Sequence, residues 1–202
     1  GKYLKDWKKF QNLTVKEILK NSSNIGTAKI MLELGDKNLY EGLKNFGFGS
    51  KLNINLPGEE KGQLNDYKAW TKISSSRIGI GQGITATGLQ MISLYSTIAN
   101  DGKMMKPLIV KKIESEDGKL IHEYKPQVIK SPISLDTSSK LKEMLVAVVE
   151  EKGTGSKAKI KGYKVAGKTG TAQKVKPSSE GGGYYNDKEV TSFIGFFPAN
   201  NP

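Results

Sequence analysis

The sequence predicts an α+β fold in which an antiparallel sheet is flanked by helices, with a helical lobe ahead of it. Three observations lead there. Apolar residues recur at helical spacing mostly in the first half of the chain, strand-like alternation bounded by turn residues gathers late, and no internal repeat marks a solenoid or an alternating βαβ order. With 202 residues and 36% apolar content, there is enough material for one sizeable core. We expect one domain over residues 1–202, with a helical lobe at roughly 14–105 and a sheet-containing part at roughly 106–202.

Thr14 followed by Glu17 reads as a capping box, and Val15, Ile18 and Leu19 share one face of a short helix ending just before Ser22. Ile25 to Leu34 fits a buried helix stopped by Gly35, and Leu39 to Phe46 fits another stopped by Gly47. The triplet Ser22-Ser23-Asn24 therefore falls between two helices. Residues 47–70, with Gly-Phe-Gly at 47–49 and Leu56-Pro57-Gly58-Glu59, read as surface-wrapping loop. Thr87 to Ala99 is an apolar core helix closed by Asn100-Asp101-Gly102. Leu108 to Ile113 and Lys119 to Tyr124 form a hairpin around Asp117-Gly118, which leaves the lone histidine, His122, on the wetter side of a strand in a structural role. Leu135 to Glu151, capped at Asp136, is a helix broken by Gly153-Thr154-Gly155. Tyr163 to Ala166 and Val190 to Phe197 are strands joined by a long polar loop, and Lys168-Thr169-Gly170 sits at the end of the first of them.

Composition excludes several chemistries. There is no cysteine, so thiolate nucleophiles, disulfides and thiolate metal sites drop out, and with one histidine no metal or organic cofactor is implied. No run reaches the roughly 18 to 20 apolar residues that span a bilayer, and Gly1-Lys2-Tyr3-Leu4-Lys5-Asp6 carries no signal-peptide apolar stretch. The net charge of +12 favours an anionic partner. Its lysines, such as Lys2, Lys5, Lys8, Lys9, Lys16 and Lys20, are scattered without the aromatic interleaving of an RNA-binding sheet, which argues against nucleic acid.

The chemistry lies in Ser22-Ser23-Asn24 and in Gly167-Lys168-Thr169-Gly170-Thr171-Ala172-Gln173, which match the S-x-N and K-T-G patterns. Acyl transfer needs a hydroxyl nucleophile, proton carriers and donors for developing negative charge. Ser22 and Lys168 are placed to relay a proton. Lys168 with the hydroxyls of Thr169 and Thr171 suits a substrate carboxylate, Gly170 keeps the strand edge clear, and Asn24 offers an amide to a substrate peptide.

These motifs, with Leu19 to Gly26, Phe46-Gly47-Phe48-Gly49, Leu56-Pro57-Gly58-Glu59, Gly79 to Gly83, Ile98 to Gly102 and Ile160 to Gln173, resemble the transpeptidase domain of class B penicillin-binding proteins, most of all the division-associated septal type. The resemblance implies the fold shared by serine β-lactamases and D,D-peptidases, a stem-peptide substrate from peptidoglycan, acylation by β-lactams, and a serine acyl-enzyme resolved by a neighbouring amine. It also implies a single-pass anchor in the cell membrane outside this sequence, this domain on the outer face, and division or wall-synthesis proteins as partners. One departure stands out. The family's S-x-x-K, with its nucleophilic serine, should precede S-x-N, yet none of the 21 residues before Ser22 is serine. Ser139 with Lys142 and Ser156 with Lys159 satisfy S-x-x-K but follow S-x-N, and both read as chance. We therefore expect a domain incomplete at both ends that lacks the nucleophile and is inactive alone.

Three rivals remain. Gly81-Gln82-Gly83-Ile84-Thr85-Ala86 fits a dinucleotide fingerprint with Asp101 downstream, but Ser74 to Arg77 makes a poor preceding strand. A catalytically silent binding or scaffold module would keep the fold without the chemistry. A sibling enzyme, a β-lactamase, D,D-carboxypeptidase or β-lactam sensor, would use the same residues to another end.

Overall fold

The computed structural model describes residues 3–202 and bears out the α+β expectation. In chain order the elements are α1 (Val15–Asn21), α2 (Asn24–Leu34), α3 (Asp36–Asn45), α4 (Ser74–Gly79), α5 (Gly88–Ala99), β1 (Met104–Met105), β2 (Lys112–Glu114), β3 (Leu120–Glu123), β4 (Val128–Lys130), α6 (Leu135–Glu150), β5 (Ala166–Val175) and β6 (Tyr184–Phe196). Among the described residues the strands form three antiparallel pairs, β1 with β4, β2 with β3, and β5 with β6. No helix is long and apolar enough to cross a membrane.

Local chemistry explains most boundaries. The Thr14 hydroxyl accepts from the Glu17 N–H at 3.3 Å while the Glu17 carboxylate accepts from the Thr14 N–H at 2.8 Å, closing the capping box of α1. Ser22 terminates α1 in the left-handed region at φ 53°, and Ser23 then caps α2 by accepting from the Gly26 N–H at 2.9 Å. At α6 the cap differs from expectation. Ser134 accepts from the Thr137 N–H at 3.1 Å, and Asp136 sits inside the first turn, where it pairs with Lys140 at 2.7 Å. Residues 74–79, which make a poor strand, are a helix, so the Gly81-x-Gly83 turn follows a helix and the dinucleotide reading loses the strand it needs.

The strands also shift. Of the expected 108–113 run only Lys112 and Ile113 fall in a strand, which continues to Glu114, and Lys168-Thr169-Gly170 lies within β5 instead of beyond its end. The reason is cross-strand register: β5 pairs residue by residue with β6 from Ala166 opposite Phe196 to Gln173 opposite Glu189, so pairing carries the strand straight through the motif.

The main core joins α5 and α6 to this hairpin. Tyr95, Ile98, Leu145, Ala166 and Ala199 are buried together, with Leu19 from α1, Leu141, Ile194 and Phe196 packed around them. The pairing of β1 with β4 and the packing of α5 on α6 both cross the division expected near residue 105. Gln90, fully buried on α5, stitches the long 47–61 segment down: its Nε2 donates to the carbonyls of Gly47 at 3.1 Å, Ser50 at 3.0 Å and Lys61 at 2.9 Å, and its Oε1 accepts from the Thr87 N–H at 3.0 Å. Glu59 adds a second clasp by accepting from the backbone N–H groups of Leu52, Asn53 and Ile54. Gln90→Leu strands three carbonyls in a dry site and should cost about 3 kcal/mol. Thermal unfolding should show it as a drop in Tm of about 6 to 12 °C.

Candidate active site

The hairpin β5–β6 and the α1–α2 turn meet at a cleft of about 680 Å³ lined by Ser22, Asn24, Thr154, Lys168, Thr169, Gly170 and Thr171. All six residues expected from the motifs are thus brought to one place. A larger cleft, of about 990 Å³, lies between the N-terminal segment and α1–α2 and holds none of the six, only their neighbour Ser23. The smaller one holds all six motif residues.

At its floor the Lys168 Nζ donates to the Ser22 Oγ at 2.9 Å and to the Thr169 carbonyl at 2.9 Å, with a longer approach of 3.5 Å to the Thr169 Oγ1. Burial pulls the Lys168 ammonium down from 10.5 to about 8, because an ion removed from water loses solvation and no carboxylate replaces it. Near neutral pH the ammonium still predominates. Ser22 reaches it by adopting the left-handed backbone conformation, a strain on the order of 1 kcal/mol for a residue with a Cβ. Its N–H bonds back to the Ile18 and Leu19 carbonyls hold it there.

Two expected roles look different in place. The Asn24 Nδ2 donates to the Lys5 carbonyl at 3.2 Å, so its amide is already engaged by the N-terminal segment. Gly170 stands opposite Ser192, whose Oγ would lie 2.6 Å from a Cβ there, so a side chain at 170 would require the Ser192 hydroxyl to rotate away. The other edge of β5 carries no strand among the described residues, which leaves its backbone groups available.

Sequence reasoning missed the clasp that holds Ser22-Ser23-Asn24. The Asp6 carboxylate accepts from the Ser23 hydroxyl at 2.8 Å and the Ile25 N–H at 3.1 Å, and the Trp7 Nε1 donates to the Asn21 carbonyl at 2.9 Å. It also missed Thr154, read only as part of a helix-breaking Gly-Thr-Gly; its hydroxyl accepts from the Thr169 Oγ1 at 3.0 Å. No local pattern signals either, since each partner is distant in sequence. The two stray S-x-x-K strings lie elsewhere. Lys142 pairs with Asp101 at 2.8 Å, Lys159 pairs with Glu150 at 2.7 Å, and neither Ser139 nor Ser156 lines the cleft.

The family model for the penicillin binding protein transpeptidase domain matches residues 1–202. The chain is similar to penicillin-binding protein PbpB of Mycolicibacterium smegmatis, at 39% identity over 94% of this chain and 30% of that protein. It is similar to stage V sporulation protein D of Bacillus subtilis, at 37% identity over 100% of this chain and 31% of that one. Its fold matches penicillin binding protein 3 of Mycobacterium tuberculosis in complex with ampicillin at a TM-score of 0.87 and 36% identity, covering 94% of this chain and 42% of that chain. The chain thus spans about 30% of the length of these curated relatives.

Proposed function

This chain belongs to the penicillin-binding protein transpeptidase domain family, and from that premise we propose that it forms part of a peptidoglycan D,D-transpeptidase working through a serine acyl-enzyme. The observation that carries the reading is the 2.9 Å contact from the Lys168 Nζ to the Ser22 Oγ in a cleft shared with Thr169 and Thr171. When a serine elsewhere in the protein attacks the stem-peptide carbonyl, its proton passes to the lysine of its S-x-x-K segment, a C–O bond forms, the C–N bond breaks and the leaving nitrogen needs a proton. Ser22 gives its hydroxyl proton and is replenished from the Lys168 ammonium. In the second half the acceptor amine loses its proton along the same path in reverse, to Ser22 and on to neutral Lys168. Thr169 and Thr171 hydroxyls and the Lys168 charge receive the substrate carboxylate, which a β-lactam also presents.

In this reading Ser22 is a relay and the nucleophile belongs to an S-x-x-K segment that residues 1–202 do not bring to the cleft. The intact protein would be held at the cell membrane by a single helix with this domain on the outer face, among proteins of division or wall synthesis. A fluorescent penicillin tests it. The intact protein should retain covalent label after denaturation, mapping outside residues 1–202. Label on Ser22, Ser139 or Ser156 would overturn the motif assignment, no label would favour a silent scaffold, and label lost within minutes would favour a β-lactamase-like sibling.

A further inference from the structure

Gly153-Thr154-Gly155 turns tightly off the end of α6: a Cβ on Gly153 would fall 2.4 Å from the Val148 carbonyl oxygen, and one on Gly155 3.2 Å from the Val148 Cγ1. That close fold-back presents Thr154 at a fixed point between the two halves of the cleft. Its N–H donates to the Lys20 carbonyl at 3.3 Å, two residues before Ser22, and its hydroxyl accepts from the Thr169 Oγ1 at 3.0 Å. The same segment is tied to α1 by Glu151, which pairs with Lys16 at 2.7 Å and Lys20 at 3.5 Å.

We infer that Thr154 is a positioning residue that fixes the Thr169 hydroxyl for an anionic ligand group while pinning β5 to the end of α1; the inference rests on the transpeptidase reading. Both threonine hydroxyls donate and accept. As the pair stands, the Thr169 hydroxyl donates to the Thr154 hydroxyl. When a carboxylate enters, the pair reverses: Thr154 donates to the Thr169 Oγ1, and the Thr169 proton, polarised by that bond, turns to the anion. Lys168 approaches the same oxygen at 3.5 Å and reinforces the polarisation. Valine at 154 keeps the shape and the backbone N–H to the Lys20 carbonyl and loses only the hydroxyl, whereas serine keeps both.

The test is acylation of the intact protein by penicillin over a concentration series, which separates the half-saturating concentration from the limiting rate. Thr154→Val should raise the half-saturating concentration about fivefold, the loss of one neutral hydrogen bond, with the limiting rate within about twofold. Tm should stay unchanged, and Thr154→Ser should restore the wild-type value. An unchanged half-saturating concentration in Thr154→Val would overturn the inference. So would a joint fall in affinity, rate and Tm that serine fails to rescue, because that marks a purely structural threonine. If the wild-type protein takes no label, the transpeptidase reading falls and this inference falls with it.

Discussion

Lys168→Met in the intact protein should slow acylation by a fluorescent penicillin by about a thousandfold, because one substitution removes both the proton source for Ser22 and the charge facing the ligand carboxylate. Methionine keeps most of the length and the apolar stem of the side chain and removes the charged tip, so packing against the hairpin survives. The pH dependence separates the two roles. Burial brings Lys168 from 10.5 to about 8, so carboxylate affinity should fall as pH rises through about 8. Steps in which Lys168 must accept a proton should quicken over the same interval. Stability carries an independent signature. Between about 8 and 10.5 the unfolded chain keeps the lysine proton that the folded chain has released, so the unfolded state binds more protons and stability rises with pH across that window. Thermal unfolding of the wild type should show that rise and Lys168→Met should lose it. A mutant that acylates within tenfold of wild type would remove Lys168 from the mechanism.

What the sequence made legible is what short-range chemistry encodes. Thr14 with Glu17, Gly35 after α2 and the apolar stripe of α5 are contacts within three or four residues, so caps and periodicity place those helices to within a residue or two. The K-T-G and S-x-N motifs were legible as patterns, and the resemblance supplied their pairing. The Lys168 to Ser22 bond itself spans 146 residues, and no local rule predicts it. The same limit hid the Asp6 clasp on Ser23 and the hydroxyl pair of Thr154 with Thr169. Gln90 carries no sequence signal for another reason: a glutamine in a helix is ordinarily a surface residue, and only the carbonyls of residues 47, 50 and 61 make its burial favourable. The start of β5 shifted because register with β6, not residue preference around Tyr163, decides where pairing begins.

Gly102→Ala should lower the Tm of the protein by about 10 °C or more, equivalent to about 4 kcal/mol. Two costs combine there. The residue lies at φ +84°, and an added Cβ would meet the Ile133 carbonyl oxygen at 2.2 Å and its carbon at 3.0 Å. Neither obstacle is the tip of a flexible side chain. Gly102 donates its N–H to the Thr97 carbonyl at 2.9 Å and so closes α5, while Ile133 immediately precedes the Ser134 cap of α6. The exit of one core helix is thereby pressed against the entry of the next, and Ser138 secures the junction by donating to the Ile98 carbonyl at 2.6 Å. Gly181 provides the control. It has nearly the same backbone, φ +85°, in the polar loop between β5 and β6, with nothing within 4 Å of an added Cβ. Gly181→Ala carries the backbone cost alone, about 1 kcal/mol, and should shift Tm by only about 2 to 4 °C. The difference between the two alanines measures the steric term, and equal shifts would show that α5 and α6 separate easily. Because α5 and α6 form the floor beneath β5, Gly102→Ala should also weaken penicillin labelling near its new Tm while leaving it intact well below, where the folded population is unchanged.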